Sequence, residues 1–327
     1  MAMKPKLSIV LPTYNVEQYI ARCVNSILRL EFQNYEVIFV NDGSTDKTKE
    51  AFESLQLDSR FRMITTKNAG AGHARNCGLR VCRGEYVYFM DPDDELVGDP
   101  FIKGLPLLDR NEADLLFFGY IQKDMDSCSE TSYALPEEMA SRNQKEFRAE
   151  LFIQVCANIS ANAVWNKVIR RSYLLSEGIE FPNMRAGQDA VFSWNMYRNI
   201  GRCVAITGTY YCYYSHRPGS IRSSYVANKF SDDIKAVQLA REVIAQWHMG
   251  DQYLNHYVSF AVYAIREEIR NQMRAKHTDS TVISRSSLYK ALIKIPMRKL
   301  SWKNRVKIFL TKLSAHGLYK PMVLLMR

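Results

Sequence analysis

The stretch that decides the fold is GEYVYFMDPDDELVGD, residues 84–99. Tyr86 to Met90 have strand-forming character and run straight into Asp91, Asp93 and Asp94. Carboxylates that close repel, and each resists ionising beside the others unless a positive charge lies between them. A solvated turn would account for the pattern, since Asp-Pro opens turns and Asp caps helices. A divalent cation would account for it too, because a hard cation takes carboxylate oxygens and cancels the repulsion. The flanking segments discriminate between the two.

Outward from this stretch, the first 120 residues alternate short apolar runs with helical patterns. KLSIVLPTY, YEVIFVNDGS, FRMIT and EYVYFMD are strands. Between them lie VEQYIARCVNSILRL, KTKEAFESLQ with Ser44 or Asp46 as its cap, and GHARNCGLRVC, all at helical spacing. Strands apolar throughout and separated by helices imply an α/β fold: a mostly parallel, Rossmann-like sheet covered on both faces. Ligands of such sheets bind at the carboxyl ends of the strands. Those ends carry Tyr14 and Asn15, then Asn41, Asp42 and Gly43, then the aspartates. A solvated turn does not need that company, so the cation site gains ground.

Neither G-x-G-x-x-G nor G-x-x-x-x-G-K-[ST] follows a strand, which disfavours a dinucleotide dehydrogenase or a P-loop enzyme. A Mg²⁺ or Mn²⁺ ion bridging aspartate and diphosphate is the alternative way to hold a nucleotide. Tyr14 suits stacking on a base, or is an ordinary half-buried aromatic. Asp42 suits an imide N–H such as that of uracil, or makes an Asx turn within NDGS.

The segments SIVLPTYNVEQYIARCVNSIL, YEVIFVNDGSTDKT, NAGAGHARNCGL, GEYVYFMDPDDEL and GQDAVF, in this order and spacing, resemble the family 2 glycosyltransferases of GT-A fold. The resemblance covers about residues 6–195. It implies that Thr13, Tyr14, Asp42 and Arg75 contact the uridine of a UDP-sugar. It makes Asp91 and Asp93 the D-x-D element, with Asp93 the direct metal ligand and Asp91 near the ribose and the ion. Asp94 follows, facing donor or solvent. Asp189 falls at the family's catalytic base, preceded by Gln188 where the family usually carries Glu; an N-cap is its structural alternative. In SHRPGSIRSS, the resemblance brings His216, Arg217 and Ser220 over the diphosphate, with His216 completing the metal shell; a surface turn at Pro218-Gly219 is the alternative. Trp165 of WNKVIRR is packing or acceptor-site wall. One base opposite one leaving group implies direct displacement and inversion.

At 327 residues and 47% hydrophobic content the chain suits a globular protein. It has no apolar run long enough to span a bilayer, and LSIVL reads as a strand rather than a signal peptide. Seven scattered cysteines without a C-x-x-C pair argue against a disulfide framework or zinc site and fit a cytoplasmic protein. The expected division is a nucleotide-sugar-binding and catalytic domain over 1–225 and a helical C-terminal region over 226–327.

The net charge of +10 is uneven: residues 280–327 hold eleven Lys or Arg and no acid, leaving −1 for the rest. SLYKALIKIPMRKLSWKNRVKIFLTKL reads as a basic amphipathic helix for an anionic membrane surface, with Trp302 at the interface. The alternative is a solvated face with its apolar side packed on the catalytic domain. Surface association would bring the enzyme to a lipid-linked saccharide acceptor. A nucleic-acid partner is disfavoured, since no aromatic platforms interleave with the charge and the aspartates would repel a phosphate backbone. The rival functions are a metal-dependent nucleotidyltransferase, which would favour a glycine- and lysine-rich first loop, and a non-catalytic scaffold, which intact Asp91, Asp93 and Asp189 oppose. Neither the sugar nor the acceptor linkage is written in any motif; the resemblance suggests bacterial surface-polysaccharide synthesis.

Overall fold

In a computed structural model, residues 4–184, 186–215, 225–249, 253–276 and 279–315 are described. The chain forms two compact units. The first comprises Met1–Met184 with Gln188–His216, the second Arg185–Gly187 with Arg217–Arg327.

The first unit opens with β1 (Leu7–Thr13), α1 (Ile20–Leu28), β2 (Tyr35–Asn41), α2 (Thr48–Ser54), β3 (Phe61–Thr65), α3 (Ala71–Val81) and β4 (Tyr86–Phe89). Every residue of β1, β2 and β4 is buried, as expected of strands covered on both faces. β5 (Glu95–Leu96), α4 (Pro100–Arg110), β6 (Leu115–Asp124), β7 (Glu130–Tyr133) and β8 (Met139–Arg142) follow. Asp99 starts α4 by accepting from the N–H groups of Phe101 and Ile102, with Pro100 in the first turn. A short turn α5 (Gln144–Glu146) winds through a π-helical stretch into α6 (Phe152–Asn158). β9 (Lys167–Arg170), α7 (Arg171–Ser176), α8 (Gln188–Tyr197) and β10 (Arg202–Ser215) complete the unit.

The sheet order is β3-β2-β1-β4-β9-β6-β10-β5, with β7 on β6 and β8 on β10. The first four strands are parallel, in register Val10↔Ile38 and Val10↔Phe89. Beyond β4 the sheet is mixed: β9 runs antiparallel to both β4 and β6, while β10 is parallel to β6. The polar 122–133 stretch is a β6–β7 hairpin. Strand order reverses at β1, between β2 and β4, which opens a crevice at their carboxyl ends. α3 covers β1 closely at Gly78, where a Cβ would stand 2.3 Å from Val10 Cγ1.

The second unit contains α9 (Lys229–Gln246), α10 (Leu254–Arg274), α11 (Ser280–Arg285), α12 (Ser287–Ile293) and α13 (Trp302–Ala315). Its core joins Val237, Val258, Ile265, Ile283, Leu292 and Ile308. Among the described residues no helix is long and apolar enough to cross a membrane.

Candidate active site

Three strand ends build the site. At the end of β1, Thr13 is fully buried and its hydroxyl donates to the Leu11 carbonyl at 3.0 Å. The next side chain, Tyr14, is 45% exposed, leaving ring surface for a flat ligand. Asn15 adopts a left-handed backbone (φ 50°) and ties this end to the next loop, accepting from Thr45 N at 2.8 Å while its own N–H donates to Ser44 Oγ at 3.1 Å.

At the end of β2, Asp42 is buried. Its Oδ1 accepts from Ala69 N at 3.0 Å and its Oδ2 from Gly70 N at 2.7 Å, so it anchors the loop leading into α3. The turn within NDGS is made by Asn41 instead, whose Oδ1 accepts from Ser44 N at 2.9 Å. Oδ1 also accepts from the Thr66 hydroxyl at 3.3 Å, so it is Oδ2 that keeps a second lone pair for a ligand.

At the end of β4, one carboxylate oxygen from each of Asp91, Asp93 and Asp94 lies within 4.8 Å of the others. Asp94 is fully buried, accepting from the Tyr211 hydroxyl at 2.7 Å and from Tyr214 N at 2.9 Å. It is therefore closed off from solvent, which corrects the solvent-facing half of the expectation for that residue. Burial first, then Asp94 and Asp91, hold the Tyr211 phenol well above its usual pKa, so it remains a hydrogen-bond donor. Arg22 clamps the same turn, donating to the Asp93 carbonyl with its guanidinium 3.9 Å from the centre of the Tyr214 ring. The two half-buried carboxylates, Asp91 and Asp93, are hard oxygen donors of the number that a Mg²⁺ or Mn²⁺ ion takes when phosphates and waters fill the rest of its shell.

Asp189 lies in the first turn of α8, almost a hundred residues beyond this turn, and Arg75 of α3 joins the two. Its Nη1 donates to Asp189 Oδ1 at 2.8 Å and its Nη2 to Asp91 Oδ1 at 2.7 Å. The guanidinium is 4% exposed, against 26% for Asp91 and 34% for Asp189, and the Phe181 ring lies beneath it at 5.2 Å. Burial alone would weaken its hold on the proton; Asp189 and then Asp91 reverse that and raise its pKa. Arg75 thus sits between two carboxylates and uses both arms of its fork on them.

α8 is seated from below by the 160–166 loop. Ser193 Oγ donates to the Asn162 carbonyl at 3.3 Å, Trp194 Nε1 to Asn162 Oδ1 at 3.0 Å and the Tyr197 hydroxyl to the Ala161 carbonyl at 2.5 Å. At the start of β9 the fully buried Lys167 turns back on that loop, donating to the Ala163 carbonyl and to Asn166 Oδ1 at 2.8 Å. Burial pushes its pKa down to about 7, against the opposing pull of Asp189 and Cys156. Trp165 is packing: it is 7% exposed and stacks on Tyr211 at 4.7 Å and Tyr213 at 5.5 Å. Gln188 reaches α3 at Gly72, where a Cβ would stand 2.3 Å from Gln188 Oε1.

Tyr14, Asp42, Arg75, Asp91, Asp93 and Asp189 therefore all belong to the first unit, whereas His216, Arg217 and Ser220 lie outside the described residues. Sequence reasoning missed Arg22, Tyr211 and Lys167. For Lys167 a signal existed: a lysine opening an apolar strand, in a segment WNKVI that offers it no carboxylate. Arg22 and Tyr211 act through contacts that no local spacing encodes.

The family model for Glycosyl transferase family 2 matches residues 8–175, just over half of the chain. The chain is 29% identical to the uncharacterized glycosyltransferase EpsJ of Bacillus subtilis (strain 168), over 64% of this chain and 61% of EpsJ. It is 29% identical to glycosyltransferase GlyG of Streptococcus pneumoniae serotype 4, over 72% of this chain and 79% of GlyG. It is also 26% identical to the poly(ribitol-phosphate) beta-N-acetylglucosaminyltransferase TarS of Staphylococcus aureus, over 78% of this chain but 45% of TarS. The chain thus spans less than two thirds of the length of EpsJ and of TarS. Among solved structures, S. aureus TarS 1–349 in complex with UDP superposes with a TM-score of 0.67 at 19% identity, over 96% of this chain and 89% of that one. The same fragment in complex with UDP-GlcNAc gives 0.61. The backbone accordingly has the GT-A-like arrangement of a mixed sheet with flanking helices and a helical C-terminal region. With the family motifs placed at the ends of β1, β2 and β4 and at the start of α8, the chain belongs to glycosyl transferase family 2.

Proposed function

We propose that the protein is an inverting, metal-dependent glycosyltransferase that moves a sugar from a UDP-sugar to a hydroxyl of a saccharide acceptor, free or lipid-linked. The proposed setting is bacterial surface-polysaccharide assembly, at the cytoplasmic face of the membrane. The observation that carries this is the Arg75 bridge, which ties the Asp189 carboxylate of α8 to Asp91 of the β4 turn. The solved TarS complexes with UDP and UDP-GlcNAc support a uridine diphosphate donor.

Tyr14 offers a face for the uracil ring, and Asp42 offers acceptor oxygens for its imide. Asp93, assisted by Asp91, would hold a Mn²⁺ or Mg²⁺ ion, which offsets charge developing on the leaving diphosphate. Arg217, Ser220 and His216 are assigned to the diphosphate and the metal shell by the resemblance alone. Asp189 accepts the proton of the attacking hydroxyl, contributing on the order of 10²–10⁴ in rate. Arg75 fixes where that carboxylate stands relative to the donor, and the buried Asp94 and Tyr211 fix the turn that carries Asp91 and Asp93.

Two measurements test this. UDP release is followed with a panel of UDP-sugars, with and without Mn²⁺ or Mg²⁺; release from none of them in either condition refutes the donor assignment. Calorimetry of UDP binding in Mn²⁺ then compares the wild type with Asp93→Ala. The variant is expected to fold normally and to lose metal-dependent UDP binding and transfer. Unchanged affinity would return the aspartates to a structural turn.

A further inference from the structure

α13 presents three of its large apolar side chains outward. Within the helix, Asn304, Ile308, Thr311, Ser314 and Ala315 are buried. Trp302, Val306 and Phe309 are 70%, 42% and 58% exposed. The exposed three follow i, i+4, i+7 spacing, so they form one stripe on the side opposite the buried residues. At a hundred degrees per residue, Arg305 and Lys312 fall on one flank of that stripe and Lys303 and Lys307 on the other. None of these four cations is paired with a carboxylate among the described residues, and residues 280–315 contain no acid at all.

The helix is not free to roll this stripe inward. Asn304 is buried and donates from Nδ2 to the Asn255 carbonyl at 2.8 Å, while its Oδ1 accepts from Ser259 Oγ at 3.1 Å. Rotation would strand those polar groups without partners in the core. Lys307 reinforces the setting by donating to Ser259 Oγ at 3.3 Å. Burial first, then Arg266 and Lys303, depress its pKa, as expected where cations crowd without a counter-charge.

We infer that α13 is an interfacial helix that lays Trp302, Val306 and Phe309 into the surface of an anionic lipid bilayer. An apolar stripe bounded on both sides by Lys and Arg matches a layer whose interior is hydrocarbon and whose headgroups are negative. Aromatic residues at the headgroup level add to this. The charge decides the occupant: a basic helix in an acid-free segment is matched by anionic phospholipid, whereas the same helix of a second copy of this chain would bring like charges together.

The sequence alone left two choices, a basic membrane helix or a solvated face with its apolar side packed inward. The structure supplies a third arrangement, in which Ile308 and hydrogen-bonded polar residues are packed and Trp302, Val306 and Phe309 are bare. Deleting residues 280–327 would not isolate this surface, because Ile283, Leu292 and Ile308 are part of the core of the second unit. Surface substitutions do.

The test uses the full chain and does not depend on any donor or acceptor. Wild type and Trp302→Ser/Phe309→Ser are sedimented with vesicles of phosphatidylglycerol and phosphatidylcholine in equal parts, and with phosphatidylcholine alone. Both proteins are checked by circular dichroism, which these exposed substitutions should leave unchanged. The wild type is expected to sediment with the anionic vesicles, less so as salt rises, and the double variant about tenfold less. Trp302 also reports directly. The other tryptophans, Trp165, Trp194 and Trp247, are buried, so a blue shift of emission on vesicles, absent in Trp302→Phe, marks its insertion. Failure of the folded wild type to sediment with anionic vesicles overturns the inference. So does sedimentation that survives the double substitution, or a wild-type dimer that the substitution dissolves without any vesicle binding.

Discussion

Replacing Asp189 by Asn removes a proton acceptor while keeping size, shape and an oxygen for Arg75. In the structure Asp189 holds one arm of Arg75 and Asp91 the other, at 2.8 and 2.7 Å. The substitution therefore turns one ion pair into a hydrogen bond from the Arg75 guanidinium to a neutral oxygen and leaves the second ion pair intact. Such a change is worth about 1 kcal/mol, at the low end because Asp189 is 34% exposed and water can replace part of what is lost. A lost general base raises the barrier by about 2.7–5.5 kcal/mol, which is a rate loss on the order of 10²–10⁴. The kinetic effect thus exceeds the effect on stability several-fold, and a folded but nearly inactive enzyme is expected. UDP affinity should hold within about threefold, since Asp93, Tyr14 and Asp42, the residues proposed to hold the ion and the uridine, are untouched. Initial rates of UDP release at saturating donor, calorimetric UDP affinity and urea midpoints measure the three quantities. Transfer within about threefold of wild type would leave Asp189 a structural partner of Arg75. Equal losses of affinity and rate would make it a donor-binding residue.

Lys167 predicts a pH effect on stability. Its folded pKa of about 7 lies below the ordinary 10.5, so between these values the unfolded chain binds the extra proton. The penalty is fully present below about pH 7 and is relieved as pH rises, by about 2 kcal/mol between pH 7 and 9. Lys167→Met should lack that rise, and urea midpoints for the two proteins that run parallel over this range would sink the assignment. Gly72→Ala should destabilise by about 1–3 kcal/mol, because its Cβ would meet Gln188 Oε1 at 2.3 Å and the Phe181 Cβ and Pro182 carbonyl each at 3.2 Å. Adding Gln188→Ala should restore part of the loss; a neutral Gly72→Ala, by urea titration, would mean that α3 and α8 do not depend on this close approach.

The parallel half of the sheet was legible from the chain alone, because strands buried on both faces must be mainly apolar and LSIVLPT, YEVIFVN and YVYF are; inside them Ser8 and Glu36 satisfy each other at 2.7 Å. Their polar carboxyl ends were legible for the same reason: they are where an apolar run meets residues that need a ligand or water. What remained hidden depends on partners distant in sequence. Asp94 reads as facing donor or solvent, yet the Tyr211 hydroxyl, 117 residues on, holds it away from solvent, while Asp91 and Asp93 stay half-buried. The resemblance makes Arg75 a uridine contact, and only the structure adds that its fork spans Asp91 and Asp189, which lies 114 residues away. The orientation of α13 was equally out of reach. Its amphipathic pattern allows either face to be buried, and only the hydrogen bonds of Asn304 to α10 turn Trp302 and Phe309 outward. Periodicity and strand-end chemistry are local properties that a chain carries along its length. The pairing of one charge with another is set by the path of the backbone through space, and for this site that path alone brings the partners together.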